Sequence, residues 1–421
     1  MSQSASTVIE TARATFDDAP LPHGWRWAKL KDVCIKITDG THRSPPNGSE
    51  GIPYITAKNI RRFKIDLTDL TYVSPEDHTE IYKRCDPKLG DVLYIKDGAT
   101  MGIAAVNNLD FEFSMLSSVA LLRPDPFLLR SFFLAAWLNH PDTYKAVIDT
   151  QLGSAIKRMV LSQIVEIQIP IPPIAEQERI EQTLSEQMAA VERARAAAEA
   201  QVKAAKDLPA AYLRDVFDSP EAERWRKKRI DEFAQTCSGS TPSRTRADYY
   251  IGAIPWVKTG ELKDDFISDT EEHVSEIALR ECSIKLLPAD TLLIAMYGQG
   301  QTRGRTGLLI KPATTNQACF AVLPNPDEFD SQYLQLWFRQ NYSRLRRETE
   351  GRGGNQPNLN GEVLNRQQVA LPPLGEQKAI AKMVTEQLMA ANQARERLQE
   401  QLDSINKLPA ALLRQAFTGK L

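Results

Sequence analysis

A shift of 200 residues lays the end of this chain onto its middle. Pro172-Pro173-Ile174-Ala175-Glu176-Gln177 aligns without a gap on Pro372-Pro373-Leu374-Gly375-Glu376-Gln377. The match runs on through Leu208-Pro209-Ala210-Ala211 and Leu408-Pro409-Ala410-Ala411 to Phe217 and Phe417. Of these 46 positions 18 are identical, where unrelated sequences of average composition share about three. The same shift carries Trp25-Arg26 onto Trp225-Arg226 and Trp137 onto Trp337, and small offsets align Ile52-Pro53-Tyr54-Ile55 with Ile254-Pro255-Trp256-Val257. A period of this length decides the architecture. The 421 residues divide into an N-terminal extension (1–19), a globular domain (20–171), a helical region (172–218), a second globular domain (219–371) and a second helical region (372–421), sizes that suit domains with appendages.

The globular parts carry short apolar runs bounded by Gly, Pro and Asp, such as Ile52 to Thr56, Val92 to Ile95, Val119 to Leu122 and Phe320 to Leu323, which read as strands. One helix interrupts them in each copy, around Leu128 to Ile148 and Ser331 to Arg347, with Trp137 and Trp337 on the core face. The expected fold class is α+β. After a strand such as Ile164 to Ile171 and the Pro-Pro break, Ala175 to Asp207 contains neither Gly nor Pro and is rich in Ala, Glu, Gln and Arg, which predicts a long helix of about 50 Å. Leu184, Met188, Val191, Arg195, Ala198, Val202 and Ala205 trace a heptad seam, and Val384, Leu388, Ala391, Arg395, Leu398, Leu402 and Ile405 repeat it. Arg195 and Arg395 interrupt the seam at the same position. Each is either a polar register device or a stem that covers the seam while its charge reaches water. Two such helices can pair as an antiparallel coiled coil with pseudo-twofold symmetry and hold the globules apart.

Composition narrows the chemistry. With 52 Lys plus Arg against 54 Asp plus Glu the net charge is −2, so no global positive field points to a nucleic-acid partner. The five cysteines, Cys34, Cys85, Cys237, Cys282 and Cys319, lack any Cys-x-x-Cys pair, which argues against zinc or a disulfide framework and for a reducing cytoplasm. The longest apolar run, Phe132 to Leu138, is far short of a membrane span. The five histidines never pair at metal-ligand spacing, and no Walker A, H-E-x-x-H, G-x-S-x-G or methyltransferase Asn-Pro-Pro-aromatic motif occurs. The glycine-rich Gly298 to Gly304 departs from the dinucleotide pattern. Asp248 with Glu261-Leu262-Lys263 resembles a nuclease arrangement only by force, and Asp264, Asp265, Asp269, Glu271 and Glu272 beside it read as a solvated acidic face. The chain reads as non-catalytic, with no metal and no cofactor of its own.

Binding chemistry is better represented. Near the first strands of each copy lies a loop of hydroxyl and basic side chains, Asp39 to Pro45 with Thr41, His42 and Arg43, and Ser238 to Arg244 with Thr241, Ser243 and Arg244. Lys58, Asn59, Lys258 and Thr259 follow the next strands. Tyr297, Gln299, Gln301, Arg303 and Arg305 fall in a stretch free of acids from Gly298 to Lys311. Arg352, Asn355 and Gln356 form an amide-rich loop whose first-copy counterpart holds Lys157 and Arg158. Such groups donate to phosphates and base edges, Arg suiting guanine and Gln adenine.

The tandem order, the Pro-Pro-x-x-Glu-Gln entries, the long helices and their Leu-Pro-Ala endings resemble the specificity subunit of Type I restriction-modification systems. Gly239-Ser240-Thr241-Pro242-Ser243 with Ile254 to Gly260, and Asp39 to His42 with Ile52 to Ile60, resemble openings of that family's target-recognition domains. The resemblance covers about residues 20 to 421. It implies two recognition domains that each read one half of a bipartite double-stranded DNA target, with an unread spacer set by the helices. It also implies two modification subunits docked on the helices, carrying S-adenosylmethionine and methylating adenine, and nuclease-translocase restriction subunits that complete the complex. Two other readings of the residues stand beside it: a coiled-coil protein adaptor, and the recognition half of a fused restriction-methylation enzyme.

Overall fold

The computed structural model describes residues 21–149, 158–298, 300–348, 359–419 and 421. The backbone separates into two compact units: Met1–Ala198 together with Gln401–Leu421, and Glu199–Glu400. The first unit therefore takes its globule and the start of one long helix from one stretch of chain and the tail of the other long helix from a second stretch, whereas the second unit holds the tail of the first long helix, its globule and the start of the second in one continuous stretch.

In the first unit a four-stranded antiparallel sheet runs in the order Cys34–Asp39, Val119–Pro124, Val92–Ile95, Ala104–Val106. A three-stranded sheet has Ile52–Ile55 at its centre, antiparallel to Thr71–Val73 and parallel to Ser114–Met115. Val92–Ile95 is buried along its whole length, so its apolar run does not alternate. The second unit repeats the plan with a five-stranded sheet, Thr236–Ser238, Cys319–Val322, Leu292–Ala295, Thr306–Leu309, Asp265–Ile267, and a three-stranded sheet centred on Ile254–Val257. In both, a short antiparallel pair, Arg26–Lys29 with Gln168–Ile171 and Arg226–Arg229 with Gln368–Leu371, ties the first strand of the globule to its last.

Three expectations need correction. The helix read around Leu128 to Ile148 is two helices, Ser131–Leu138 and Pro141–Asp149. Pro141 starts the second, and Asn139 between them spends its amide on the backbone of Ala104 and Ala135. The second copy lacks that proline and has one helix, Ser331–Glu348. The strand read from Ile164 is a helical turn, Leu161–Ile164, before Gln168–Ile171. The long helices do not end at Leu-Pro-Ala. They run Ile174–Phe217 and Leu374–Ala416 with Pro209 and Pro409 inside, or about 65 Å at 1.5 Å per residue. An interior proline costs about 3 kcal/mol, and the turns beyond it bury Leu213 in the second unit and Leu413, Ala416 and Phe417 in the first, which offsets that penalty.

The seam is buried at Leu184, Val191, Ala198, Ala205, Val384, Leu388, Ala391 and Leu402, and half-buried at Met188, Val202, Leu398 and Ile405. Arg195 and Arg395 are exposed, and Arg195 reaches Glu192 at 2.6 Å. Within the first unit Ile180 and Leu184 share a core with Leu413, Ala416 and Phe417, and Arg179 donates to the Leu421 carbonyl at 2.7 Å; the two helical segments are antiparallel. In the second unit Leu213 likewise packs with Ile380, Ala381, Val384 and Leu388.

The repeated Glu-Gln entry has a physical reason. Gln177 is fully buried. It accepts from Arg130 N–H at 2.9 Å and donates to the carbonyls of Leu128 and Pro172 at 2.9 and 3.0 Å. Gln377 does the same with Asp330 N–H, Glu328 and Pro372. One amide fastens the core helix of each globule to the start of its long helix.

Candidate nucleic-acid interface

The loop after the first sheet strand is placed in both units by the same close approach. Gly40 lies so near the Met115 carbonyl that a Cβ there would sit 2.0 Å from its oxygen, and Gly239 meets Thr315 at 2.1 Å. Thr41 N–H then donates to Met115 and Ser240 N–H to Thr315, at 2.8 and 2.9 Å. Only glycine permits this crossing, and it turns the following hydroxyl and basic residues outward.

In the first unit Thr41, His42 and Arg43 line a cleft of about 460 Å³ with Asp77, Glu80 and Arg84. Its floor is ionic. Asp39, 2% exposed, takes Arg84 at 2.6 Å, His42 at 3.2 Å and the buried Lys96 at 3.4 Å. Burial pushes the Asp39 carboxyl up, but the Arg84 hydrogen bond and the Lys96 and His42 charges outweigh it and hold the group below the usual carboxylate range. Lys96 continues to Asp97 and Asp97 to Arg158, at 3.3 and 3.2 Å. Arg84, Lys96 and Asp97 carry no motif in sequence; the end of the helix Pro75–Arg84 brings the first to Asp39, and the sheet that sets Val92–Ile95 one strand away from Cys34–Asp39 brings the other two.

In the second unit the loop is held by aromatic side chains. Trp256 Nε1 donates to Ser240 O at 3.1 Å and the Tyr250 hydroxyl to Pro242 O at 2.6 Å. Arg244 lies over Tyr250 and Trp256, 4.4 and 5.1 Å from their centroids, and forks onto Glu272 at 2.5 and 3.3 Å. Lys258 reaches the same carboxylate at 2.9 Å and Glu271 at 3.3 Å. The Glu272 carboxyl is held down to about 2 by the Arg244 hydrogen bond and then by Lys258. Thr241 donates to Gln317, and Ser243 lies 2.8 Å from the Thr245 hydroxyl. Thr259 opens a single turn, Thr259–Glu261.

Further along, Tyr297 is exposed at the base of a hairpin tip. Gln301 and Arg305 line a shallow cleft with Gly260, Lys263 and Thr302. Arg305 pairs with Asp264 and stacks on Tyr342 at 4.9 Å. Arg62 stacks on Tyr144 at 4.6 Å beside the hairpin of the first unit. In the stretch read as a solvated acidic face, Asp265, Asp269 and Glu271 are exposed, and several of its carboxylates also serve as counter-ions of the basic loops: Asp264 with Arg305, Glu272 with Arg244 and Lys258, Asp269 with Lys311 at 3.3 Å.

Two candidate contacts do not face outward. Asn59 is 1% exposed and its amide is spent on Thr56 N–H and the carbonyls of Asp66 and Asp69. Arg303 is 4% exposed beneath the hairpin, near the Arg346 carbonyl. Lys58 is exposed and paired with Asp69. Lys157, Gln299, Arg352, Asn355, Gln356 and the extension 1–19 lie outside the described residues. Among the described residues no His, Cys, Asp and Glu group could hold a metal ion, and no helix is long and apolar enough to cross a membrane. The nuclease-like set does not converge: Asp248 pairs with Arg246, while Glu261 accepts from Lys258 and Glu271 N–H.

Residues 22–200 and 222–403 match a family model described as the Type I restriction modification DNA specificity domain. The chain is 26% identical over 435 residues to the Type I restriction enzyme EcoKI specificity subunit of Escherichia coli strain K12, covering 95% of this chain and 90% of that protein. It is 30% identical over 165 residues to the MjaIX specificity subunit of Methanocaldococcus jannaschii, covering 38% and 37%. Its fold is similar to that of the HsdS subunit from Thermoanaerobacter tengcongensis, with a TM-score of 0.65 at 19% identity over 97% of this chain and all of that one. A chain from a Type I R-M complex-assembly structure gives 0.70 at 20% identity over 96% and 100%.

Proposed function

The chain belongs to the Type I restriction-modification DNA specificity family, and on that premise we propose that each globule reads one half of a bipartite double-stranded DNA target. The observation that carries this reading is the duplicated loop. Gly40 and Gly239 make the same backbone crossing and present different side chains beyond it: Thr41, His42 and Arg43 in one unit, Thr241, Ser243 and Arg244 in the other. A shared scaffold with divergent donors is what two half-sites of different sequence require, because phosphate contacts position and base-edge contacts specify. Near-neutral net charge is compatible with this role, since partner subunits share the duplex.

In this reading the antiparallel helices set the unread spacer. With B-DNA advancing about 34 Å per turn, globules carried by helices of this length face half-sites one turn or more apart. The helices also dock two modification subunits, which bind S-adenosylmethionine and methylate adenine, and restriction subunits join them to cleave. This chain contributes recognition and its partners the catalysis.

The test is a domain exchange. Replacing residues 20–165 with another recognition domain, in cells carrying the whole system, changes one half of the methylated motif in methylome sequencing and leaves the other half and the spacer length intact. A change in both halves, or in neither, refutes modular reading. Inserting one heptad into each long helix lengthens the spacer alone.

A further inference from the structure

Resting on that DNA-reading function, we propose that Glu272 is a built-in competitor for DNA. In the free chain it occupies Arg244 and Lys258, and a duplex must displace it to reach both cations.

The geometry supports competition rather than simple bracing. Arg244 comes from the loop after Thr236–Ser238 and Lys258 from the turn after Ile254–Val257, and this one carboxylate anchors both, at 2.5 and 2.9 Å. The backbone of Glu272 is fixed independently: its carbonyl accepts from Trp256 N–H at 3.0 Å and from the Thr270 hydroxyl at 2.6 Å. The loop is also held without it, through Trp256 to Ser240, Tyr250 to Pro242, and the two rings beneath the guanidinium. Removing the carboxylate therefore leaves the cations in place. The side chain is 30% exposed, so water and anions reach the pair, and a phosphate oxygen offers Arg244 the same forked geometry that the carboxylate does.

The first unit solves the same problem differently. Its anchor, Asp39, is 2% exposed and braced by the buried Lys96, so a phosphate cannot substitute for it. The structurally corresponding residue of the second unit, before Gly239, is Ser238, and the carboxylate arrives from another strand. At the loop beyond the shared glycine crossing, competition is thus a property of the second unit.

Two linked consequences follow for DNA without the target sequence. Each exposed charge pair that must be broken weakens binding by a factor of a few. A carboxylate freed by binding also gathers a cation, so net counter-ion release is smaller by about one. Only a site whose base contacts offset the displacement is held well, which makes Glu272 a specificity-determining residue.

The experiment uses the full-length chain assembled with its modification subunits and a labelled 30-base-pair duplex lacking the target, followed by anisotropy over a series of KCl concentrations. E272Q is compared with wild type, with E271Q, which removes an equal charge from the same stretch, and with R244A. We expect E272Q to bind about threefold to tenfold more tightly, with the log–log salt slope steeper by about one. E271Q should stay within about twofold of wild type with no change of slope, because the Glu271 carboxylate is 79% exposed and meets Lys258 at the longer distance of 3.3 Å. If E272Q behaves like E271Q, the competitor is excluded. If E272Q binds more weakly and loses affinity in step with R244A, Glu272 braces the loop and the proposal is overturned. If no binding in any variant depends on Arg244, the reading of DNA by this loop fails as well. Binding that needs Arg244 but ignores Glu272 removes the competitor alone.

Discussion

Replacing Gln177 with Leu should release the core helix of the first globule from its long helix without disturbing the second unit. The amide is fully buried and makes three bonds of 2.9, 2.9 and 3.0 Å to one N–H and two carbonyls. Leucine fits the space and bonds none of them. An orphaned buried polar group costs about 1–3 kcal/mol, and the two carbonyls fall at the low end because each keeps a second lone pair. Three such groups sum to about 4 kcal/mol, and the better transfer of leucine returns about 1, leaving about 3 kcal/mol. Q177E is a second arm. It keeps the acceptor for Arg130 N–H but turns both donated bonds into oxygen–oxygen contacts, and should be at least as damaging. The two units can open separately, so a whole-chain midpoint is the wrong measurement. Native-state hydrogen exchange by mass spectrometry resolves them. Protection across 128–138 should fall by about a hundredfold in Q177L while 328–338 is unchanged, and Q377L should give the mirror image. A loss below about tenfold, or an equal loss in both segments, would refute the clamp.

Deleting residues 413–421 removes Leu413, Ala416 and Phe417 from the first unit's core, where Phe417 lies 4.9 Å from both Phe133 and Trp137; exchange should rise across 131–148 by the equivalent of about 4–6 kcal/mol, and a rise confined to the second unit would contradict this core. G40A and G239A should each lower the melting temperature of the assembled protein and abolish reading of one half-site, since the added methyl has no room beside Met115 or Thr315; methylome sequencing that shows an intact motif would rule this out. His140 is pushed down to about 4, first by burial and then by Arg414, against the opposing Asp142. The unfolded chain therefore binds the extra proton as pH falls from about 6.5 towards 4, and first-unit stability declines through that window. H140Q should flatten the decline in hydrogen-exchange protection factors across 131–148 between pH 7 and 5, and a slope identical to wild type would exclude His140 as its source.

The parts of this fold legible in the sequence are those fixed by periodicity and by duplication. The long helices follow from the absence of Gly and Pro between Ala175 and Asp207 and the strand Val92–Ile95 from its apolar run. What stays hidden depends on three-dimensional partners. Nothing local says that the helix survives Pro209, because the reason is burial of Leu213 in the other half of the repeat. Nothing local distinguishes Asn59, spent on its own turn, from an amide free to meet a base. The candidate loops are legible through Gly40 and Gly239, but their ionic state is not. Glu272 lies 28 residues beyond Arg244, inside a run whose composition reads as solvated, and only the register of Ile254 with Val274 and Pro255 with His273 carries it to the loop.

The equivalences between the units separate scaffold from reading surface. Gly102 and Gly304 have φ of 92° and 85°. Both donate back to the strand, to Ile95 and Ala295, and both face a tyrosine ring, Tyr144 and Tyr342. Phe63 and Asp264 share a left-handed φ of 60° and 62° and donate N–H to Ala104 and Thr306. At these places the backbone is repeated although the side chains are not. Phe63 stacks on Phe132, whereas Asp264 takes Arg305, so one turn serves an apolar contact in one unit and an ion pair in the other. A residue in that conformation is strained by about 1 kcal/mol or more unless its surroundings compensate, so the turn is kept by its hydrogen bond to the neighbouring strand rather than by residue type. The scaffold is therefore held by backbone bonds that tolerate substitution, and the charged side chains above it are free to diverge, as the buried Asp39 cluster and the open Glu272 pair have done.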